Sequence, residues 1–135
     1  MKQVISLIFA GTLLSTTLLS HAQTKPVYQK TLAVGGMELI TIRGDSEKAV
    51  AARADILYSR LVWILADASL ARRDIWIDFT QSDPSIYVKK RLLITVMLQD
   101  AQYNQSTPEK QAEVWRQRFS ETLPILKSLD PPSKK

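Results

Sequence analysis

The chain has 135 residues, with 18 Lys and Arg against 13 Asp and Glu, a formal charge of +5, 45% hydrophobic content and no cysteine. That length suits one compact domain, and ordinary apolar and charged content excludes a chain disordered throughout. The missing cysteine excludes disulfides, thiolate nucleophiles, Cys-ligated zinc and iron–sulfur clusters.

Residues 1–23 read MKQVISLIFAGTLLSTTLLSHAQ. Lys2 supplies a short positive start, an apolar stretch follows, and Ser20-His21-Ala22 places small residues where a signal peptidase reads. This predicts a secretory signal peptide over 1–22, cleaved after Ala22, and a periplasmic or secreted product. A spanning anchor needs roughly 20 predominantly apolar residues, and this stretch is interrupted by Ser6, Gly11, Thr12, Ser15, Thr16 and Thr17. Cleavage removes Lys2, lowering the formal charge from +5 to +4, and removes His21, the single histidine. A processed chain without His or Cys has no Ser-His-Asp or Cys-His nucleophile and no imidazole-held transition metal. Carboxylates, lysines, tyrosines and hydroxyls remain for chemistry; no cofactor and no metal are expected.

Residues 23–30 are polar and read as a flexible arm. Runs at 31–34 and 37–42 read as strands joined by Gly35-Gly36, a hairpin signal because both turn positions tolerate positive φ. In the second strand Leu39 and Thr41 fall on one face and Glu38, Ile40 and Ile42 on the other, which predicts one partly wet side. Gly44 ends the strand, and Asp45 or Ser46 caps a helix over about 46–68. Its apolar stripe is Val50, Ala54, Leu57, Leu61, Ile64 and Ala68. A polar link with Arg72-Arg73 precedes a strand at 75–79, with Ile75, Ile77 and Phe79 inward and Trp76 and Asp78 on the other face. Ser82-Asp83-Pro84-Ser85 is turn chemistry. Strands at 86–88 and 91–97 follow, joined tightly by Lys89-Lys90, and 99–106 holds at most one helical turn. Thr107-Pro108-Glu109 opens a second helix with the stripe Ala112, Trp115, Phe119, Leu123 and Leu126. Pro124 should kink or end it near Leu123. The expected organisation is one α+β domain over 31–127, order β-β-α-β-β-β-α, with a small, mostly antiparallel sheet, two main helices on one face, and a disordered tail over 128–135.

Two blocks carry a family resemblance: Val34-Gly35-Gly36-Met37-Glu38-Leu39-Ile40-Thr41-Ile42-Arg43-Gly44 with the following helix, and Ile86-Tyr87-Val88, Leu92-Leu93-Ile94-Thr95-Val96, Asp100-Ala101 and the helix with Ala112 and Trp115. Together they resemble the extracytoplasmic N-terminal domain ahead of the channel in some bacterial small-conductance mechanosensitive channel proteins. The resemblance covers about residues 31–126. It implies a free-standing accessory domain without the channel's membrane helices, so it does not imply ion conduction. It brings no catalytic residues with it.

Several constellations invite chemistry. Arg43-Gly44-Asp45 spells an adhesion tripeptide, but a strand-to-helix corner explains it more simply. Asp74 and Asp78 lie at even spacing from Trp76, and with Asp83 and Asp100 they are the acids that a polysaccharide-acting enzyme would use. Turn and strand-face acids are the simpler account, and none has the neighbours of a calcium loop. Arg72-Arg73 and Lys89-Lys90-Arg91 are the dense basic clusters, and strand pairing would bring them together as a patch for an anionic surface. Trp115 reads as core. Trp63 and Trp76 read as exposed, and a patch of Trp with Ile40 and Ile42 would make a partner surface; the equal alternative is that the N-terminal arm or a second copy covers that face. The leading expectation is therefore a non-catalytic interaction or accessory module. Its candidate surface is Trp76, Asp78, Arg72, Arg73, Lys89, Lys90 and Arg91, and its partner an envelope protein or a second copy. An anionic-surface binder and a carboxylate-dependent polysaccharide enzyme are the alternatives. Nucleic acid is not an expected partner, and neither is an integral membrane state after processing.

Overall fold

The structure is a computed structural model that describes residues 25–67 and 69–128. The signal peptide expected over 1–22 lies outside the described residues, as does the expected tail beyond Ser128. The elements run β1 (Tyr28–Val34), β2 (Met37–Gly44), α1 (Glu47–Leu65), a single 3-10 turn (Arg72–Asp74), β3 (Ile75–Asp78), β4 (Ser85–Val88), β5 (Arg91–Thr95), α2 (Leu98–Gln102) and α3 (Pro108–Ser128). The class is α+β and the order of strands and main helices is the one expected, with a short α2 added. The strands divide between two antiparallel sheets, β1-β2 and β3-β4-β5. The main helices tie the sheets together: α1 packs on β1, β2 and β5, and α3 on β2, β3 and β4.

Local chemistry explains most boundaries. Gly35 and Gly36 take φ of +58° and +78° in the β1–β2 turn. A Cβ on Gly35 would lie 2.8 Å from Leu126 Cδ2, so a side chain there would force Leu126 of α3 to shift. Ser46 caps α1, its hydroxyl accepting from Ala49 N at 3.2 Å. Val50, Ala54, Leu57, Leu61 and Ile64 form the buried stripe of that helix. Thr107 Oγ1 accepts from Lys110 N at 3.3 Å at the start of α3, where Pro108 takes the first helical position. The core joins these stripes to Leu32, Ile42, Ile86, Leu93, Phe119 and Leu123, all fully buried. Each such side chain contributes about 1.5–3 kcal/mol of hydrophobic stabilisation.

Four expectations are corrected. First, β1 begins at Tyr28, so Tyr28–Lys30 is strand and not arm; these residues pair with Gly44, Arg43 and Ile42. Their side chains are exposed, so no hydrophobic pattern marks them. Second, Ile40 and Ile42 are buried, while Glu38 on the same strand stays exposed. The register slips where Leu32 opposes Ile40 and Ala33 opposes Glu38, leaving Leu39 as the extra residue of a bulge. Consecutive Ile42 and Arg43 point to opposite faces, and both are buried. The surface expected from Trp with Ile40 and Ile42 therefore does not exist. Third, Phe79 is 51% exposed, because β3 ends at Asp78 and the chain turns there. Fourth, α3 does not end at Pro124 but continues to Ser128, which also removes Ser128 from the expected tail. Pro124 cannot donate to Ser120 O, yet Leu123 and Leu126 on either side are buried. Lys127 Nζ also donates to Leu65 O at 2.6 Å, fastening the last turn to α1.

Candidate functional site

The antiparallel register of β3 and β4 decides where the basic residues lie. Ile75 opposes Val88, and Lys89 N donates to Asp74 O at 2.6 Å. The 3-10 turn carrying Arg72 and Arg73 is thereby fixed against the β4–β5 turn carrying Lys89 and Lys90. Arg91 opens β5 at the same end. Lys89 takes a φ of +54°, a left-handed conformation that makes the two-residue link possible. Two sequence-distant clusters thus meet at one end of the three-stranded sheet.

Lys89 differs from its neighbours. Its Nζ donates to Asp67 Oδ2 at 3.1 Å and to Ser69 O at 2.5 Å, holding the turn to the chain that leaves α1. Arg72, Arg73, Lys90 and Arg91 are exposed and form no ion pair among the described residues. Beside them is a cavity of about 290 Å³, with Ile64, Leu70 and Val88 as an apolar floor and Asp67, Lys89, Lys90 and Arg91 around it. Trp76 borders this end. It is 45% exposed, its ring lies 4.9 Å from that of Tyr87 at 17°, and its Nε1 donates to Lys89 O at 2.8 Å. This stack is a rigid aromatic wall beside the basic turn.

Asp78 is not part of that end. It pairs with Ser85 at the far end of β3, about 10 Å away at 3.3 Å per residue. Its Oδ1 accepts from Thr80 Oγ1 at 2.7 Å and from Thr80 N at 2.8 Å. Those two bonds, the hydroxyl's first, hold its carboxyl below the usual carboxylate range. Asp74 accepts from Ala71 N at 2.8 Å. Each acid therefore closes its own local turn, and the pair does not converge on Trp76.

Asp100 has a different role that its sequence context hides. It is fully buried and accepts from Arg53 Nη2 and Nη1 at 2.8 and 3.2 Å, Arg43 N at 2.8 Å and Met97 N at 2.9 Å. Arg53 also donates to Arg43 O at 2.9 Å and Thr95 O at 3.1 Å. This clamp joins α1, β2, β5 and α2. The Arg43-Gly44-Asp45 tripeptide is part of it and not an adhesion loop, since Arg43 is 9% exposed. Among the described residues no group of three or more Asp, Glu, His or Cys is placed to hold a metal ion. No helix there is long and apolar enough to cross a membrane.

These features define a small α+β domain with a basic end and no convergent acids among the residues singled out above. The chain belongs to the family described as a domain of unknown function, DUF8459, whose family model matches residues 27–124. That description assigns no activity. No curated protein and no solved structure matches the chain.

Proposed function

We propose that this chain is a non-catalytic interaction module, acting outside the cytoplasm, that presents the basic end of its three-stranded sheet to an anionic envelope surface. The observation that carries this reading is the convergence of Arg72, Arg73, Lys90 and Arg91 at one end, exposed and without ion pairs among the described residues. Backbone pairing fixes their positions, so their charge acts together on a partner surface within the screening length. The local roles of Asp74 and Asp78 support a non-catalytic reading, because neither is held as half of an acid pair. The likeness to channel-associated domains enters as a class of neighbour, a membrane protein of the envelope beside which such a module would sit.

The test is co-sedimentation of the exported chain with phosphatidylglycerol vesicles. Binding is expected at about 0.01 M salt and is lost near 1 M, where the screening length falls from about 30 Å to about 3 Å. At about 1 kcal/mol per basic residue near an anionic surface, Arg72→Ala/Arg73→Ala should weaken binding about thirtyfold. Absence of binding at low salt, or binding that ignores both salt and the double substitution, would sink the proposal.

A further inference from the structure

A second cavity is lined by an arginine of the polar clamp whose guanidinium makes no hydrogen bond or ion pair among the described residues. It is about 200 Å³ and lies between β2 and α3. One water occupies roughly 10–15 Å³ by the same kind of measure, so this space holds more than a single solvent molecule. Arg43 lines it and is nine-tenths buried, at 9% exposure. Its Nε is buried and makes no hydrogen bond, and no hydrogen bond or ion pair from its guanidinium occurs among the described residues.

The surroundings show why this is unusual. Arg43's backbone is held on both sides, its N–H by Asp100 and its carbonyl by Arg53. The nearby acid cannot serve the guanidinium, because both Asp100 oxygens already accept from Arg53 and two backbone N–H groups. What the guanidinium has is the ring of Tyr103, 4.1 Å from ring centroid to Cζ. A ring face orients a guanidinium and leaves its in-plane N–H groups open. A planar fork with open donors, facing a cavity, matches a carboxylate bound side-on.

Three more lining residues narrow the ligand. Gln111 is buried, and its Oε1 accepts from Asn104 Nδ2 at 3.0 Å, which leaves its amide N–H groups to the cavity. Arg118 adds a second, exposed guanidinium at the rim. Glu38 is the single acid among the lining residues, and it works against a second negative charge on the ligand. Val114 and Trp115 give one wall apolar area. We propose that this cavity binds a small organic monocarboxylate, its carboxylate held by Arg43 and its body against α3. The proposal is independent of the basic end.

A free carboxylic acid and the C-terminus of a peptide share this chemistry. The full chain would be titrated with hexanoate, N-acetyl-leucine and inorganic phosphate, following the Arg43 Nε–H resonance and the Gln111 amide by NMR. Saturable shifts are expected with hexanoate, with N-acetyl-leucine or with both, and the stronger of the two names the source. Phosphate should bind at least about tenfold more weakly, since a dianion meets Glu38 and lacks the planar match. Read at the Gln111 amide, Arg43→Gln should abolish the shifts, and Arg43→Lys should weaken binding about tenfold, because an ammonium keeps the charge without the fork. Should Arg43→Gln fail to fold, Arg118→Ala and Gln111→Leu take its place, and each must weaken binding several-fold. Shifts with neither carboxylate, shifts unchanged in the variants that fold, or phosphate binding as tightly as hexanoate would each overturn the proposal.

Discussion

Asp100 and the β4–β5 turn are both crowded by basic residues, yet the two regions use charge in opposite ways. Around Asp100 the ion pair is closed inside the fold: one carboxylate accepts four hydrogen bonds, and Arg53 reaches two backbone carbonyls besides. At the turn only Lys89 is tied inward, while Arg72, Arg73, Lys90 and Arg91 face solvent. Counting charges along the sequence does not separate these cases. Counting satisfied donors does, because a buried ion is tolerated only when paired, whereas an exposed one is free to meet a partner.

The sharpest way to break this comparison is Asp100→Ala. It leaves the Arg53 guanidinium and the N–H groups of Arg43 and Met97 without their acceptor in a buried setting. Removing one member of a buried pair costs about 3–5 kcal/mol, and for a small domain each kcal/mol lowers Tm by roughly 4–8 °C. Thermal melting should therefore show a fall of roughly 12–40 °C. The double substitution Arg53→Met/Asp100→Leu should recover part of that loss, since an apolar replacement of both partners leaves no orphaned charge. A fall of under about 5 °C for Asp100→Ala would mean that the clamp is not structural.

What the sequence revealed divides along the same line. Turns and caps were legible because their chemistry is local: Gly35-Gly36 at positive φ, Ser46 before α1, Thr107-Pro108 before α3, and the tight link at Lys89-Lys90. The helix stripes were legible because burial repeats with the turn of the helix. The clamp was not, because Arg53 and Asp100 are 47 residues apart and no short motif relates them. The burial of Ile42 and Arg43 on opposite faces of β2 was hidden for a related reason: α2 is only five residues, and its polar sequence does not announce that it covers a strand. The bulge at Leu39 added a break in alternation that strict period-two reading cannot contain. Pro124 does not end the helix because the rule for proline is local, while Leu126 and Lys127 hold the helix beyond it through distant contacts. The basic patch was half legible, since its residues were evident and their meeting depended on the β3–β4 register. Arg43 was read as a corner residue, and nothing in its neighbourhood along the chain shows Tyr103 beneath its guanidinium.

A gentler test compares stability with binding. Arg72→Ala/Arg73→Ala removes two exposed charges that take no part in an ion pair among the described residues. Surface changes of this kind usually stay within about 0.5 kcal/mol each. Chemical denaturation should therefore give an unchanged slope and a midpoint close to that of the parent, while vesicle binding falls. Loss of stability on the scale of Asp100→Ala would show that these arginines belong to the fold, and the distinction between the two regions would fail.

The smallest effect should come from Asp78, at the end of β3 away from the basic turn. Thr80 donates to it from both hydroxyl and backbone, and these bonds hold its carboxyl below the usual range. A carboxyl depressed in the folded state adds stability that is fully present above its unfolded value, about 3.9, and is lost as pH falls through the lower folded value. Asp78 is partly open to solvent at the sheet's end, so the contribution is small and confined to its turn. The Thr80 amide should exchange with solvent faster as pH drops below about 4, once the intrinsic pH dependence of exchange is removed. Thr80→Ala removes the hydroxyl bond but keeps the backbone one, so it should raise the Asp78 titration midpoint and leave the melting temperature nearly unchanged. An unshifted midpoint in that variant would show that the hydroxyl does not hold the charge. A titration of Asp78 that altered vesicle binding would place this acid back with the basic end, against the roughly 10 Å that separates them along β3.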